Sequence, residues 1–385
     1  MVVHIITRLA MGGAQQQAFE IVKRMHQSGK DVIIFTGLSD MKKSLSAKDN
    51  KILNLIKNDN IPVEIIPTLN DRISLLNDFK SLIRIYFLIK KYNPSVVHIH
   101  SSKTGILGRL ASVFLNIKKI IYHVHGWSFS SSTGLNQKLY LFLEKTFYYI
   151  TTDYIFVCEQ DMIDFIDLGG NKNIKNKSHV IYPGCDFNDI KSIEKTKKSL
   201  RNKFGISNKD HLIGTVARLD FQKNPQIFVE IANKYLKKDS NAKFMWIGKG
   251  GSLIEVKKLI HKYGISDKFI LPGFVDDIEP YFSIFDTFVL TSRYEGLPVT
   301  ILKGLACEIP IVSFQINGVN DLSKQFKSVY GTKPFVIDDF VENLILAKKI
   351  INESPELIKN EAMVIRKKFN MNMMYNNILR VYEKN

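Results

Sequence analysis

The sequence is poor in cysteine, with only Cys158, Cys185 and Cys307 among its 385 residues. The three are odd in number and far apart, and neither a CxxC pair nor a metal-ligand spacing connects them. This pattern excludes a disulfide framework and a cysteine-based metal site. It favours three free thiols in a reducing cytosol.

Long apolar runs are also missing. A membrane-spanning helix needs roughly 18 or more uncharged apolar residues, and the best candidate, residues 139–158, is interrupted by Glu144, Lys145 and Asp153. The opening MVVHII has no basic segment, and its apolar run is too short for a signal peptide. We therefore expect a protein that does not cross a membrane and whose first residues form a strand.

Acidic residues are outnumbered, since 54 Lys and Arg against 37 Asp and Glu give a net charge of +17. Such a balance favours anionic partners, namely nucleic acid, phosphorylated substrates or an anionic membrane surface. Zinc-finger spacing, an RNP-like aromatic motif and a basic leucine-zipper region are all absent from the sequence. No nucleic-acid partner is therefore predicted.

Apolar β-branched runs alternate with helical patterns along the chain, which is typical of a parallel α/β architecture. The GxGxxG fingerprint of dinucleotide-binding proteins is absent, which argues against a nicotinamide enzyme. Glycine nevertheless follows one predicted strand after another, as at Gly12-Gly13 and at Gly248. Loops of a nucleotide-binding α/β domain need such glycines because backbone must approach the ligand closely.

Two loops in the second half carry charges suited to a phosphate. Residues 285–306 are predicted to form a strand, a loop containing Glu295, and a helix with Pro298 at its first position. The free amides of a first helical turn attract anions. Arg218 and Lys223 lie on a second strand-to-helix loop, and their several donors make them a candidate diphosphate clamp.

Two pairs of histidines end predicted strands, His98 with His100 and His123 with His125. Alternation along a strand points both members of a pair to one face of the sheet. Neither carboxylate nor cysteine shares their spacing, so we predict structural histidines rather than a metal site.

Two helical segments each allow two interpretations. Residues 75–92 carry a stripe that includes Leu76, Phe79 and Ile83, with Lys80 and Arg84 beside it. This helix either rests on an anionic bilayer or packs on its own sheet. The helix predicted over residues 135–150 has aromatic side chains off its main face, which are either buried or available to lipid.

Eight motifs occur in an order that resembles the retaining nucleotide-sugar glycosyltransferases of family 4. They are Gly12-Gly13, SSKTGILGRLA, HVHGWSF, IYPGCDF, the Arg218/Lys223 pair, IGKGG, LPGFVDD and SRYEGLP. The resemblance spans nearly the whole chain and implies the GT-B fold, in which two Rossmann-like parallel-sheet domains face each other across a cleft. It implies an acceptor domain over residues 1–190, a nucleotide-sugar donor domain over residues 205–368, and a helix over residues 369–385 that crosses back to the first domain.

The family's functional residues map onto this sequence motif by motif. The resemblance implies that Arg218 and Lys223 hold the diphosphate, that Glu295 contacts the sugar, and that His125 lies near its reactive carbon. These four are the implied catalytic residues. The implied donor-binding residues are Gly12, Gly13, Gly248, Phe274, Val275, Gly296, Leu297, Pro298, Val299 and Lys303.

The implied reaction needs no metal and no other cofactor. Breaking a glycosyl–phosphate bond builds negative charge on the diphosphate, and preplaced cations and helix amides stabilise that charge. The DxD motif of metal-dependent enzymes is not evident in the sequence. Retention would follow the family's same-face displacement, in which the leaving phosphate deprotonates the acceptor.

One position departs from the family, because Lys303 stands where a second glutamate follows Glu295. That glutamate ordinarily accepts hydrogen bonds from the ribose, whereas lysine can only donate. Glu308 cannot replace it, since a residue five positions on lies about 140° round the helix. Either the ribose is held differently, with Lys303 reaching a hydroxyl oxygen or a phosphate, or donor binding is impaired.

The resemblance implies a retaining, metal-independent hexosyltransferase that uses a nucleotide-diphosphate-sugar, with UDP favoured by its frequency in the family. The implied acceptor is a lipid-linked oligosaccharide of capsule, O-antigen or exopolysaccharide biosynthesis. The implied location is the cytoplasm, at the inner, anionic face of the cell membrane. Two alternatives stay open: a sugar-nucleotide epimerase of GT-B fold, and a non-catalytic nucleotide-sugar-binding or partner subunit.

Overall fold

The computed structural model describes residues 1–9, 12–37, 56, 58–130, 132–187 and 190–384, with residues 190–195 described by their backbone alone. The chain divides into two compact units. The first comprises Met1–Gly184 and Asn372–Asn385, and the second comprises Cys185–Met371. The limits expected for the domains from the sequence, 1–190, 205–368 and 369–385, stay a prediction.

The first unit contains a parallel sheet of seven strands. They are β1 (Val2–Arg8), β2 (Val32–Gly37), β3 (Val63–Ile65), β4 (Val96–His100), β5 (Lys119–Val124), β6 (Asp153–Phe156) and β7 (Ser178–Val180). Their spatial order is β3-β2-β1-β4-β5-β6-β7. Among the described residues of this unit, the helices are α1 (Gly13–Gln27), α2 (Leu75–Tyr92), α3 (Ser102–Ser112), α4 (Gly134–Phe147) and α5 (Glu159–Asp167).

The second unit contains a parallel sheet of six strands. They are β8 (His211–Val216), β9 (Ala242–Ile247), β10 (Phe269–Gly273), β11 (Thr287–Leu290), β12 (Ile311–Phe314) and β13 (Val329–Thr332), in the spatial order β10-β9-β8-β11-β12-β13. The helices are α6 (Ile190–Lys203), α7 (Pro225–Leu236), α8 (Leu253–Lys262), α9 (Glu279–Phe282), α10 (Val299–Ala306), α11 (Asn317–Ser323), α12 (Ile337–Glu353) and α13 (Pro355–Lys368). The predicted parallel α/β architecture is confirmed in both units.

The strands are apolar because both faces of each sheet are covered. The central strands β1, β4 and β5 of the first unit have nearly every residue buried, and so do β8, β11 and β12 of the second. Strands buried on both faces read as continuous Val/Ile/Leu/Phe runs rather than as alternating patterns. This is why the sequence identifies them as strands of a parallel sheet.

Each sheet reverses its strand order once, next to its first strand. In the first unit the order turns at β1 and β4, and in the second it turns at β8 and β11. Open α/β sheets bind ligands at the carboxyl ends of strands flanking such a reversal, because the neighbouring loops diverge there and leave a crevice. Each unit therefore has one crevice fixed by topology alone.

The terminal helix α14 (Met371–Glu383) packs within the first unit. Its side chains Met374, Ile378 and Val381 are buried. The Lys119 Nζ atom donates a hydrogen bond to the Val381 carbonyl oxygen at 2.5 Å. The Tyr382 hydroxyl lies 2.5 Å from His98 Nδ1, so the helix reaches into the face of the sheet that carries the histidines.

Candidate active site

Two loops meet at the strand reversal of the second unit. One runs from β8 to α7 over residues 217–224, and the other runs from β11 to α10 over residues 291–298. The Arg293 amide donates to the Gln222 carbonyl oxygen at 2.8 Å, and Gln222 Nε2 donates to the Tyr294 carbonyl oxygen at 3.1 Å. The Thr291 hydroxyl donates to the Lys223 carbonyl oxygen at 2.9 Å. These hydrogen bonds hold both loops as one surface.

The predicted charges come together on this surface. Lys223 Nζ is ion-paired with Glu295 Oε1, and the two side chains are 15% and 13% exposed. Arg218 is more exposed, and its Nη2 atom lies 3.2 Å from Asp220 Oδ2 and 2.9 Å from Gln222 Oε1. The second unit thus presents two cations, each beside a carboxylate, at the crevice that topology defines.

Two glycines let the loop after β9 lie against the Arg218 loop. A Cβ atom on Gly248, whose φ is 145°, would lie 1.9 Å from the Ala217 carbonyl oxygen, and one on Gly250 would lie 2.0 Å from that of Leu219. Such distances exclude any side chain at either position. The IGKGG motif therefore shapes the backbone that carries Arg218.

The start of α10 differs by one residue from the prediction. Pro298 is the N-cap residue with extended backbone (φ −69°, ψ 123°), and the helix begins at Val299 rather than at Pro298. Gly296, Leu297 and Pro298 are buried, and the Gly318 amide donates to the Gly296 carbonyl oxygen at 2.9 Å. The first turn of α10 follows directly on Glu295, as the sequence predicts.

Lys303 has a partner that the sequence pattern does not reveal. Its Nζ atom is ion-paired with Glu279 Oε1, at the start of the short helix α9. Lys303 is nearly buried, whereas Glu279 is just over one-third exposed. A carboxylate therefore accompanies the lysine that replaces the family glutamate.

Phe274 and Val275 follow β10, the edge strand, and both are partly exposed. Strand β9 separates them from the Arg218 loop, although the Gly248 amide donates to the Gly273 carbonyl oxygen at 2.8 Å and ties the two loop starts together. Of the predicted donor residues in this unit, these two lie farthest from Lys223 in strand order.

The first unit places Gly12 and Gly13 at its own strand reversal. Gly12 is the N-cap residue of α1, and Gly13 is exposed with open space where a Cβ atom would stand. Ser101, which follows β4, has a φ of 63° and holds its hydroxyl 2.8 Å from that of Thr7. The amides at the start of α1 are thus presented at the crevice of the first unit.

The four predicted histidines share one face with a fifth that sequence analysis missed. His4 pairs with His98 in strand register, and His100 pairs with His123. Burial lowers the pKa of His4 to about 3 and that of His125 to about 4, and it lowers the pKa values of the other three well below the ordinary range. A signal for His4 exists, because VVHII at the start of the chain repeats the pattern of VVHIH at residues 96–100.

Two groups of three histidines are close enough to share a metal ion. Their ring nitrogens lie within 4.8 Å of one another, in one group with His4, His98 and His100 and in the other with His100, His123 and His125. The rings are hydrogen-bonded to one another, and neither group includes a carboxylate or a cysteine. Structural histidines therefore stay the prediction.

Three helices of the first unit expose apolar side chains to solvent. On α2 the buried residues are Ser81, Ile85, Leu88 and Ile89, whereas the predicted stripe faces outward, with Leu76 66% and Phe79 60% exposed. Phe114, two residues after the end of α3, is also exposed, and so are three apolar residues of α4. These are Leu135, Leu139 and Phe142. Within the described ranges, no helix is both long enough and apolar enough to cross a bilayer.

Comparisons with known proteins agree with the motifs. Residues 11–189 match the family model described as Glycosyltransferase Family 4, and residues 196–363 match the one described as Glycosyl transferases group 1. The Escherichia coli UDP-Gal:alpha-D-GlcNAc-diphosphoundecaprenol alpha-1,3-galactosyltransferase is 31% identical over 332 residues, which are 83% of this chain and 84% of that protein. The Staphylococcus aureus capsular polysaccharide biosynthesis glycosyltransferase CapM is 23% identical over 306 residues, 77% of each chain.

A solved structure supports the fold over the full length. The crystal structure of Anabaena Alr3699/HepE in complex with UDP and glucose aligns with a TM-score of 0.80 and 17% identity, covering 100% of this chain and 99% of that one. By the two family models and the Escherichia coli relative, the chain belongs to the family 4 glycosyltransferases, of the type that includes enzymes of capsule and surface-polysaccharide synthesis. Its two parallel-sheet units have the predicted GT-B fold.

Proposed function

We propose that this glycosyltransferase moves a sugar from a UDP-sugar to a lipid-linked saccharide, with retention and without a metal ion. The observation that carries the proposal is the Lys223–Glu295 pair beside Arg218 at the strand reversal of the second unit. The names of the relatives support the substrates: the Escherichia coli protein uses UDP-Gal and a diphosphoundecaprenol-linked acceptor, and the Anabaena protein binds UDP and glucose.

In this proposal the second unit holds the donor. Arg218 and Lys223 receive the diphosphate, and the amides that follow Glu295 at the start of α10 bind its oxygens. Glu295, released from Lys223 when the phosphate arrives, accepts hydrogen bonds from sugar hydroxyls. Phe274 and Val275 contact the base.

The first unit contributes the acceptor site, the exposed amides at Gly12 and Gly13, and His125. In the reaction the bond from the sugar carbon to the phosphate oxygen breaks, and its electron pair stays on the phosphate. The acceptor oxygen attacks on the same face and passes its proton to that phosphate. Lys223 and Arg218 stabilise the charge that develops on the leaving group, so their contribution grows toward the transition state.

In this proposal, Glu279 supplies the carboxylate that is missing at position 303. An ion pair in which Lys303 occupies one carboxylate oxygen leaves the other oxygen of Glu279 as an acceptor for ribose hydroxyls. The carboxylate expected at position 303 is then supplied from α9, and Lys303 keeps it in place. Donor binding is retained under this arrangement.

Calorimetric titration of the full-length protein with UDP and GDP, with and without EDTA, tests the donor site. We expect micromolar binding of UDP, weaker binding of GDP, and no effect of the chelator. Failure of both nucleotides to bind would remove the donor assignment and favour a non-catalytic role. A UDP-sugar converted to a second nucleotide sugar without any acceptor would instead establish the epimerase.

The Lys303–Glu279 pair predicts a charge-swap result in the same titration. Lys303→Glu alone places two carboxylates together, and Glu279→Lys alone places two cations together, so each is expected to weaken UDP binding about tenfold. The double variant Lys303→Glu/Glu279→Lys restores an ion pair with a carboxylate on α10, and most of the affinity should return. Additive losses in the double variant would show that the two side chains do not act together.

We also propose that α2, Phe114 just after α3, and residues Leu135, Leu139 and Phe142 of α4 form the surface that docks on the inner, anionic face of the cell membrane. Their exposed apolar side chains lie among exposed cations that include Lys80, Arg84, Lys90 and Lys138. Each basic residue near an anionic surface contributes about 1 kcal/mol, and each inserted apolar side chain contributes roughly 1.5–3 kcal/mol when fully buried. This location brings the protein to a lipid-linked acceptor.

Flotation with vesicles of phosphatidylcholine and phosphatidylglycerol tests the surface. The protein is expected to float with these vesicles at low salt, and Phe79→Glu/Phe142→Glu should reduce binding at least about tenfold. Ile254→Glu is the matched control, because Ile254 is a similarly exposed apolar residue on α8 of the second unit. Vesicle binding of this variant should stay unchanged. Equal losses in both variants would point to a general effect of charge rather than to this surface.

A further inference from the structure

The histidine face of the first unit contains a single unbranched chain of hydrogen bonds that ends at His125. Its members, in order of contact, are His125, His100, His4, Tyr382, His98 and His123. The contacts run from His125 Nε2 to His100 Nδ1 (3.2 Å), His100 Nε2 to His4 Nδ1 (3.1 Å), His4 Nε2 to the Tyr382 hydroxyl (3.3 Å), that hydroxyl to His98 Nδ1 (2.5 Å), and His98 Nε2 to His123 Nδ1 (3.2 Å).

Burial keeps all six groups neutral at ordinary pH. Burial lowers the pKa of each of the five histidines in this hydrogen-bond chain, and it raises the pKa of Tyr382 well above its usual value. A neutral imidazole has one N–H donor and one acceptor nitrogen, and a phenol has one O–H donor. Each member therefore contributes one proton, and each contact requires one.

Only two proton arrangements satisfy every contact in such a chain. In one, all five histidines carry their proton on Nε2 and the protons point from His125 toward His123. In the other, all five carry it on Nδ1 and the protons point the opposite way. A mixed arrangement leaves at least one contact with two protons or with none, which costs about 1–3 kcal/mol where that contact is buried.

The two contacts of Tyr382 distinguish these arrangements. A hydroxyl donor makes shorter hydrogen bonds than an imidazole N–H. The contact from the hydroxyl to His98 Nδ1 measures 2.5 Å, and the contact to His4 Nε2 measures 3.3 Å. The phenol therefore donates to His98 and accepts from His4, which is the arrangement with every proton on Nε2.

We propose that this chain fixes His125 in the Nε2–H tautomer, so that its Nδ1 atom is presented as a hydrogen-bond acceptor to a hydroxyl of the substrate. His125 is partly exposed, whereas the other four histidines are buried, so it is the member placed to meet a ligand. Tyr382, carried on the terminal helix, is the positioning residue that sets the direction. That the hydroxyl belongs to a sugar rests on the proposed function.

Long-range 1H–15N spectra of the full-length protein labelled with 15N-histidine test the tautomers without any substrate. All five histidines are expected in the Nε2–H form, with His125 assigned from the spectrum of His125→Gln. His26 and His261 are not part of this hydrogen-bond chain, so their signals serve as internal references. A single member of the chain in the Nδ1–H form overturns the proposal. The measurement stays informative if no transferase activity is found, because it needs no donor or acceptor.

Tyr382→Phe tests the direction-setting role with little change in shape. It leaves the His4 Nε2 proton without an acceptor, so the segment from His4 to His125 should reverse and place a large part of the His125 proton on Nδ1. Tyr375→Phe is the matched control on the same helix, because the Tyr375 hydroxyl contacts Ser28 Oγ at 3.0 Å instead of the chain. An unchanged His125 signal in Tyr382→Phe, or an equal change in Tyr375→Phe, overturns the assignment to Tyr382.

Discussion

Lowering the pH from about 7.5 to about 5.5 is expected to destabilise the first unit far more than the second. Five histidines of the first unit stay neutral in the folded state because burial lowers their pKa values, to about 3 for His4 and about 4 for His125. The unfolded chain binds protons at these positions once the pH falls below about 6.5. The contribution of these five histidines to the free energy of unfolding is therefore fully present above that pH, and it is lost as the pH falls from about 6.5 toward about 4.

The expected size is large because the effects of five groups accumulate. Each histidine that is protonated only in the unfolded state costs about 1.4 kcal/mol per pH unit below its unfolded pKa. Five such groups lower the free energy of unfolding by on the order of 5–7 kcal/mol at pH 5.5. A loss of this size is comparable to the whole stability of an ordinary domain.

The two tryptophans allow each unit to be followed separately. Trp127 is buried in the first unit and Trp246 in the second, so Trp246→Phe and Trp127→Phe leave one fluorescent probe in each. Between pH 7.5 and pH 5.5, the urea midpoint reported by Trp127 should fall by a large amount. The midpoint reported by Trp246 should fall less, because its unit holds one such histidine, His211, whose pKa is lowered by burial to about 4. Equal shifts for both probes would contradict the assignment of acid sensitivity to the histidine chain.

Lys223→Ala is expected to lower kcat/KM for glycosyl transfer by about 10²–10³. The lysine is nearly buried at the strand reversal of the second unit and is held against Glu295. Under the proposed function, its charge is therefore in place before the leaving diphosphate forms. Removing a preorganised group that stabilises developing charge costs about 2.7–4 kcal/mol of transition-state stabilisation. Most of the loss should fall on kcat, because the charge grows as the bond breaks.

Lys348→Ala is the matched control for this variant. Lys348 is likewise ion-paired, with Asp239 Oδ2 at 2.6 Å in the same unit, but it lies on α12 and outside the loops at the strand reversal. Its removal should leave kcat and KM unchanged. A Lys223→Ala enzyme with wild-type kcat and only a raised KM would place the lysine in ground-state binding alone.

The fold was predictable because its central strands are buried on both faces. The apolar runs at residues 287–290 and 311–314 coincide with β11 and β12, whereas β13 (Val329–Thr332) has no comparable apolar run. That strand has four residues, and Gly331 and Thr332 interrupt its apolar run. Short strands with a glycine lack the pattern that distinguishes a strand from a turn.

Helical periodicity predicted α2 but not which of its sides is buried. The stripe of Leu76, Phe79 and Ile83 is exposed, and Ile85, Leu88 and Ile89 pack inward. A helix that is apolar on much of its circumference has two candidate faces, and only the neighbouring elements decide between them. The choice between a bilayer and the sheet could therefore not be made from the sequence.

The candidate site was predictable where its residues follow strands and unpredictable where they meet across the fold. Arg218, Lys223 and Glu295 stand in loops that the strand pattern locates. Glu279 and Tyr382 were missed, because their partners are 24 and 284 positions away along the chain. No local spacing encodes such pairs, and only the packed structure shows them.

Three cations of the candidate donor site each have a carboxylate partner: Arg218 has Asp220, Lys223 has Glu295 and Lys303 has Glu279. Carboxylates therefore offset part of the positive charge of this site on a chain of net charge +17. Under the proposed function, a diphosphate displaces these carboxylates from their cations, and the displaced carboxylates then need new hydrogen-bond donors. A nucleotide sugar brings hydroxyls that supply them, whereas inorganic pyrophosphate does not. If these cations hold the donor as proposed, we expect their ion pairs to favour nucleotide sugars over simple phosphates.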